Sequence, residues 1–204
     1  MIIRRKVKVK VKKKNPYLDD YASLILEELD PKNKINFKFI GEGSFGEIYY
    51  FELNHNNIFE NVILRPGKYI IKIFKENKEE DIELPSFSEI NYLKKLSNYG
   101  LIPKIYIINK NFSIMKYIEG VDLLDYGHET KDNIIKTLSK IKKLVKIWHE
   151  LGFAHGDLSF TNIIISKNHK VYFIDPYFEN RQNFNDDLLW IKRHENVFNI
   201  KASQ

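Results

Sequence analysis

Gly41, Gly43 and Gly46 follow a Gly-x-Gly-x-x-Gly spacing that encloses Ser44 and Phe45. Residues without a Cβ let the backbone turn tightly and bring its N–H groups close to a phosphate, whose charge they can accommodate. The same glycines would also suit an ordinary hairpin. A dinucleotide fingerprint opens a helix, whereas Glu47 to Phe51 read as a strand, and the Lys-Ser or Lys-Thr ending of a P-loop is absent. What remains is a hairpin suited to covering phosphates. Other residues with chemical potential are Lys72, Glu89, His155, Asp157, Asn162 and Asp175. Singly, Lys72 and Glu89 read as surface charges or a local ion pair, His155 as a base or metal ligand, and the two acids as caps or turn formers. There is no cysteine, so thiolate catalysis, disulfides and cysteine-held metals are excluded, and any metal must sit on oxygen or imidazole.

Short elements are expected to hold these residues. A helix is predicted over residues 17–29, with Tyr21, Leu24, Ile25 and Leu29 on its apolar side, and strands over 36–40, 48–54 and 68–75. Pro85 and Ser86 then open a helix whose inward side is read as Ile90, Leu93, Leu96 and Tyr92 and which stops at Gly100. Strands over 104–108 and 111–116 complete five, and Glu119-Gly120 reads as a connector. Beyond it, Ile134, Leu138, Ile141, Val145 and Trp148 recur every three or four positions, which predicts a long helix over 132–151. Gly152 ends that helix and leads into His155-Gly156-Asp157. Strands over 162–166 and 170–174 and a last helix over 185–194 follow, with Asp186 and Asp187 expected to cap or brace that helix.

The 204 residues are 43% hydrophobic and 14% aromatic, a composition that folds. No apolar run reaches the length of a membrane-spanning helix, and the expectation is a cytoplasmic protein with no membrane contact. The net charge of +6 is unevenly placed. Residues 1–14 carry eight basic side chains and no acid, which leaves the rest of the chain at about −2. Lys6 to Lys12 alternate strictly with valine. That pattern suits an edge strand with a lysine face, or an arm that contacts nucleic acid or an acidic protein.

In the order and context just given, these residues resemble the protein-kinase superfamily over residues 40–190. The resemblance implies an α+β, two-lobed protein-kinase-like fold, with residues 1–14 as an arm, 15–118 as an N-terminal lobe and 119–204 as a strongly reduced C-terminal lobe. It also implies ATP and Mg2+ as cofactors. Gly41, Gly43, Ser44, Phe45 and Gly46 would cover the phosphates, Lys72 would orient them, and Glu89 would pair with Lys72. Met115, Lys116, Tyr117 and Ile118 would meet the adenine. In His155-Gly156-Asp157-Leu158-Ser159-Phe160-Thr161-Asn162, Asp157 would position the acceptor hydroxyl and Asn162 would bind metal, with Asp175 as the second metal ligand. His155 is expected to support the loop. Hard oxygen donors suit magnesium.

Gly156 stands where regulated protein kinases commonly have arginine, Pro176 and Tyr177 replace the usual phenylalanine and glycine, and 29 residues follow Asp175. These departures resemble RIO kinases, the kinase of the KEOPS complex, and aminoglycoside or capsular-sugar phosphotransferases. The expected function is an ATP-dependent phosphotransferase, with a protein serine or threonine slightly favoured as acceptor over a small alcohol, sugar or aminoglycoside. The alternative of another class is a non-catalytic kinase-like binding protein in an RNA-associated assembly. Oligomeric state is not legible.

Overall fold

The computed structural model describes residues 19–32, 34–43, 46–74, 86–127, 131–177 and 184–200. The basic arm, Ser44 and Phe45 lie outside the described residues. The described residues form two units: those up to Ile90 with Ile105–Tyr117, and Asn91–Lys104 with those from Ile118 onward.

In the first unit, α1 (Asp19–Leu29) precedes β1 (Lys38–Gly43), β2 (Gly46–Leu53), β3 (Asn57–Phe59), β4 (Val62–Leu64), β5 (Gly67–Phe74), β6 (Ile105–Ile108) and β7 (Phe112–Lys116). Five of these strands form one antiparallel sheet in the order β1-β2-β5-β7-β6, and they are the five read from the sequence. Strand alternation sorts its side chains. Tyr49, Phe51, Leu53, Tyr69, Ile71, Ile73, Phe112 and Ile114 are buried in a core shared with Ala22 and Ile25 of α1. Each large side chain so buried contributes about 1.5–3 kcal/mol of transfer free energy. Phe51 stacks on Tyr69 with ring centroids 5.3 Å apart.

The β3–β4 hairpin is absent from the sequence-based expectation. Its register pairs Phe59 with Val62 across a two-residue turn, Glu60 and Asn61, at φ 44° and 64°. Both central residues are left-handed, the geometry that two-residue hairpins favour, and it is usually announced by glycine. Here Asn61 carries part of the tolerance. Asn109 Nδ2 donates to Glu60 Oε1 at 2.8 Å and ties the turn to the β6–β7 connection.

Helix α2 (Phe87–Asn98) begins in the first unit and ends in the second. The second unit continues with β8 (Gly120–Asp122), α3 (Leu123–Tyr126), α4 (Lys131–Glu150), β9 (Ile163–Ser166), β10 (Val171–Phe173) and α5 (Phe184–Ile200). The expected stripe of α4 is buried from Ile134 to Trp148. Glu119-Gly120, read as a connector, leads instead into a strand: β8 pairs with β9 in a β10-β9-β8 sheet. The backbones lie so close that a Cβ on Gly120 would meet the Ile165 carbonyl oxygen at 2.2 Å. A short strand with no apolar alternation gave no signal in the sequence. Helix α5 also departs from expectation. It runs to Ile200, and Leu188 and Leu189 are half exposed while Asp187 and Ile191, one turn apart, are the buried pair.

Candidate active site

The first unit places its candidates by strand geometry. Lys72 lies on β5 opposite Ile48 of β2 and Ser113 of β7, and Ile70 lies opposite Tyr50 and Met115. Cross-strand partners share a face. Lys72, Ile48, Ile70 and Met115 are therefore on the side of the sheet opposite the core, and all four are half-buried. Ile48 and Ile70 were not singled out from sequence, although period-two alternation around Lys72 points to them. At the end of β7, Tyr117 N donates to Lys68 O at 3.1 Å, and the Tyr117 ring meets Tyr50 edge-on at 5.1 Å.

The glycines divide into two kinds. Gly43 pairs with Gly46 where β1 meets β2, and a Cβ on Gly46 would lie 2.0 Å from the Ile73 carbonyl oxygen. Gly46, at φ 156°, is required by the close approach of β2 to β5. A Cβ on Gly41 would meet nothing within 4 Å. Among the described residues, therefore, no internal packing requires glycine at position 41. Glu89 closes a capping box at the start of α2: its Oε2 accepts from Ser86 N at 2.6 Å, while Ser86 Oγ accepts from Glu89 N at 3.3 Å.

In the second unit, His155 links the two loop acids. Its Nδ1 accepts the Asp157 backbone N–H at 3.3 Å, and its Nε2 lies 3.0 Å from Ile174 O, next to Asp175. Those partners assign the proton to Nε2. The imidazole is 1% exposed, and burial pushes its pKa below the ordinary value against the opposing pull of the Asp187 carboxylate. A neutral ring is what the geometry needs. Through these two contacts His155 supports the loop backbone.

Asn162 Nδ2 donates to both Asp157 O and Asp157 Oδ2 at 2.9 Å, and Asn162 O accepts from Ile174 N at 2.9 Å. With Nδ2 held by Asp157, Oδ1 is the end of the amide left to serve a cation. Asp175 follows at φ 51°, a left-handed conformation that costs a non-glycine residue about 1–2 kcal/mol. Gly156, at φ 79°, takes a similar conformation without a Cβ. Among the described residues no group of three or more His, Asp or Glu side chains forms a ready metal cage. Asn162 Oδ1 and the Asp175 carboxylate are the loop oxygens whose chemistry suits a hard cation.

Beneath the loop, Asp187 of α5 is 1% exposed and accepts from His155 N at 2.8 Å and Gly156 N at 3.3 Å. His149 Nε2 of α4 lies 2.9 Å from the same carboxylate. Asp187 thus braces the loop across 32 residues of sequence. Sequence offered the acid but not its partners.

An antiparallel five-stranded sheet with a glycine hairpin and a strand lysine, followed by a helical unit with an Asp157–Asn162 loop, defines the protein-kinase-like fold. The family model of the RIO domain matches residues 57–177, and the chain belongs to that family. It is 30% identical over 149 residues to the KEOPS complex subunit Bud32 of Pyrococcus abyssi, covering 68% of this chain and 65% of the relative. A probable cell division protein kinase of Encephalitozoon cuniculi is 28% identical over 132 residues, or 63% of this chain and 46% of that protein. The maternal embryonic leucine zipper kinase of Xenopus tropicalis is 30% identical over 116 residues, 53% of this chain and 18% of that kinase. The chain therefore spans less than two thirds of each relative. No helix among the described residues is long and apolar enough to cross a membrane.

Proposed function

We propose that the chain is an ATP-dependent phosphotransferase that moves the γ-phosphoryl group to a hydroxyl, with a protein serine or threonine as the favoured acceptor. The observation that carries this reading is the Asp157–Asn162 pairing, in which one loop holds a carboxylate and turns an amide oxygen away from it. Asp157 aligns the acceptor O–H and takes its proton as the oxygen bonds to the γ-phosphorus and ADP departs. Lys72 orients phosphate, residues 41–46 cover it, and residues 115–118 meet the adenine, with Ile48 and Ile70 adding apolar surface on the same sheet face. Asn162 and Asp175 would hold Mg2+, which offsets the negative charge of the phosphates. Glu89 serves as partner of Lys72 when its capping contact is exchanged. Membership in the RIO domain family and likeness to protein kinases support the choice of acceptor, and likeness to a KEOPS complex subunit supports a protein partner.

The test is transfer from γ-labelled ATP, with magnesium, to protein extract and to separated metabolites. Label on serine or threonine is the expected result. Label confined to a metabolite would replace the acceptor class, and binding of ATP without magnesium-dependent transfer to either fraction would favour a kinase-like binding protein instead.

A further inference from the structure

The polar network under the acid loop reaches a residue that the reaction scheme does not use. Tyr92, on α2, is 5% exposed, and its hydroxyl accepts the indole N–H of Trp148, itself 1% exposed on α4. The Tyr92 ring also lies 3.8 Å from that of Phe153, two residues before His155. Trp148 in turn packs against His155 with centroids 5.1 Å apart and against Phe173 at 5.2 Å. His155 then holds Asp157 N on one ring nitrogen and Ile174 O on the other. Burial raises the Tyr92 pKa strongly, and the Asp187 carboxylate adds to that rise, so the phenol stays neutral beside the acid that braces the loop.

We infer that Tyr92 is a positioning residue for the acid loop: by fixing the Trp148 indole it sets the imidazole of His155, and through it the backbone that carries Asp157 and precedes Asp175. A buried donor such as the indole N–H accepts few alternative orientations once partnered. A flat ring held in one orientation then forms a wall for the neighbouring imidazole. Packing alone would not require the hydroxyl. Phenylalanine at position 92 would fill nearly the same volume and leave the indole N–H without its acceptor. This inference rests on the proposed phosphotransferase for its catalytic consequence, but its structural content can be read without turnover.

The experiment compares wild type, Tyr92→Phe and Tyr92→Phe/Trp148→Phe by amide hydrogen exchange and by magnesium-ATP kinetics. In Tyr92→Phe, exchange at the Asp157 amide should accelerate about tenfold, while Phe173, whose N–H donates to Leu101 O, keeps its protection. The kcat should fall about tenfold with the KM for ATP within twofold. The double variant removes the stranded indole donor and should recover melting temperature without recovering Asp157 protection or kcat. Uniform acceleration at all amides, unchanged protection at Asp157, or return of kcat together with melting temperature in the double variant would each overturn the inference. Absence of turnover in the wild type would instead strike the proposed function, while the exchange pattern would still decide the role of Tyr92.

Discussion

The sheet face around Lys72 and the loop around Asp157 are built by different means. On the sheet, Lys72, Ile48, Ile70 and Met115 take their places because strand alternation puts every second side chain on one side, and the opposite side is anchored by the apolar core. In the loop no periodicity operates. Asp157 and Ile174, the residue before Asp175, are held by His155 and Asn162, and the loop backbone is held by Asp187 from a distant helix. A chemical side chain on a strand can therefore be removed with little effect on the fold, whereas the polar groups under the loop join stability to function.

The largest expected effect falls on the exposed acid of the loop. Asp157→Asn should preserve much of the ATP affinity and lower acceptor phosphorylation by about 100-fold or more, from loss of proton acceptance. Near-normal transfer by the folded variant would remove Asp157 from the reaction.

Asp187→Ala leaves the His155 and Gly156 amides without their acceptor and should cost about 3 kcal/mol or more of unfolding free energy, together with activity. Lys72→Ala should lose most turnover and change stability by only about 0.5 kcal/mol. Denaturant midpoints beside ATP turnover separate the two, and comparable stability losses would erase the contrast.

A finer version lies within the glycine hairpin. Gly46→Ala forces a Cβ into the Ile73 carbonyl and should cost about 1–3 kcal/mol, while Gly41→Ala, with open space around it, should stay within about 0.5 kcal/mol yet raise the KM for ATP. If Gly41→Ala leaves nucleotide binding unchanged, the open space has no bearing on phosphate.

The smallest effect is a pH dependence. The folded pKa of His155 lies below the unfolded value of about 6.5, so the unfolded chain takes up the proton first as pH falls. The stability tied to the neutral ring is whole above about pH 6.5 and is lost as pH falls from there toward the lowered folded value. Urea midpoints from pH 8 to 5 should show this fall in the wild type and less of it in His155→Gln, and equal slopes would assign it to other groups.

The same division explains what the sequence disclosed. The five sheet strands and the α4 stripe could be read because burial alternates with a fixed period, and the chemical residues stood out by spacing in the chain. The β3–β4 hairpin escaped because its turn uses Glu60 and Asn61 without glycine, and β8 because close backbone approach at Gly120 leaves no apolar pattern. On α5 the apolar Leu188 and Leu189 drew the reading to the exposed side, while the helix is docked through the acid Asp187 and through Ile191. The partners of Asp187 and Tyr92 are long-range contacts that no local pattern announces.

The chain has two tryptophans and no cysteine, and the position of the tryptophans has a practical consequence. Trp148 packs against His155 on one flank of the loop, and Trp190 packs against Phe160, within the loop, at 5.2 Å. Intrinsic emission excited at the indole band thus reports from two neighbours of the same segment, and a single-tryptophan variant would isolate either flank. A dye attached through one introduced thiol would have no competing site on the chain, so loop movement during nucleotide binding could be followed optically by energy transfer from a natural donor.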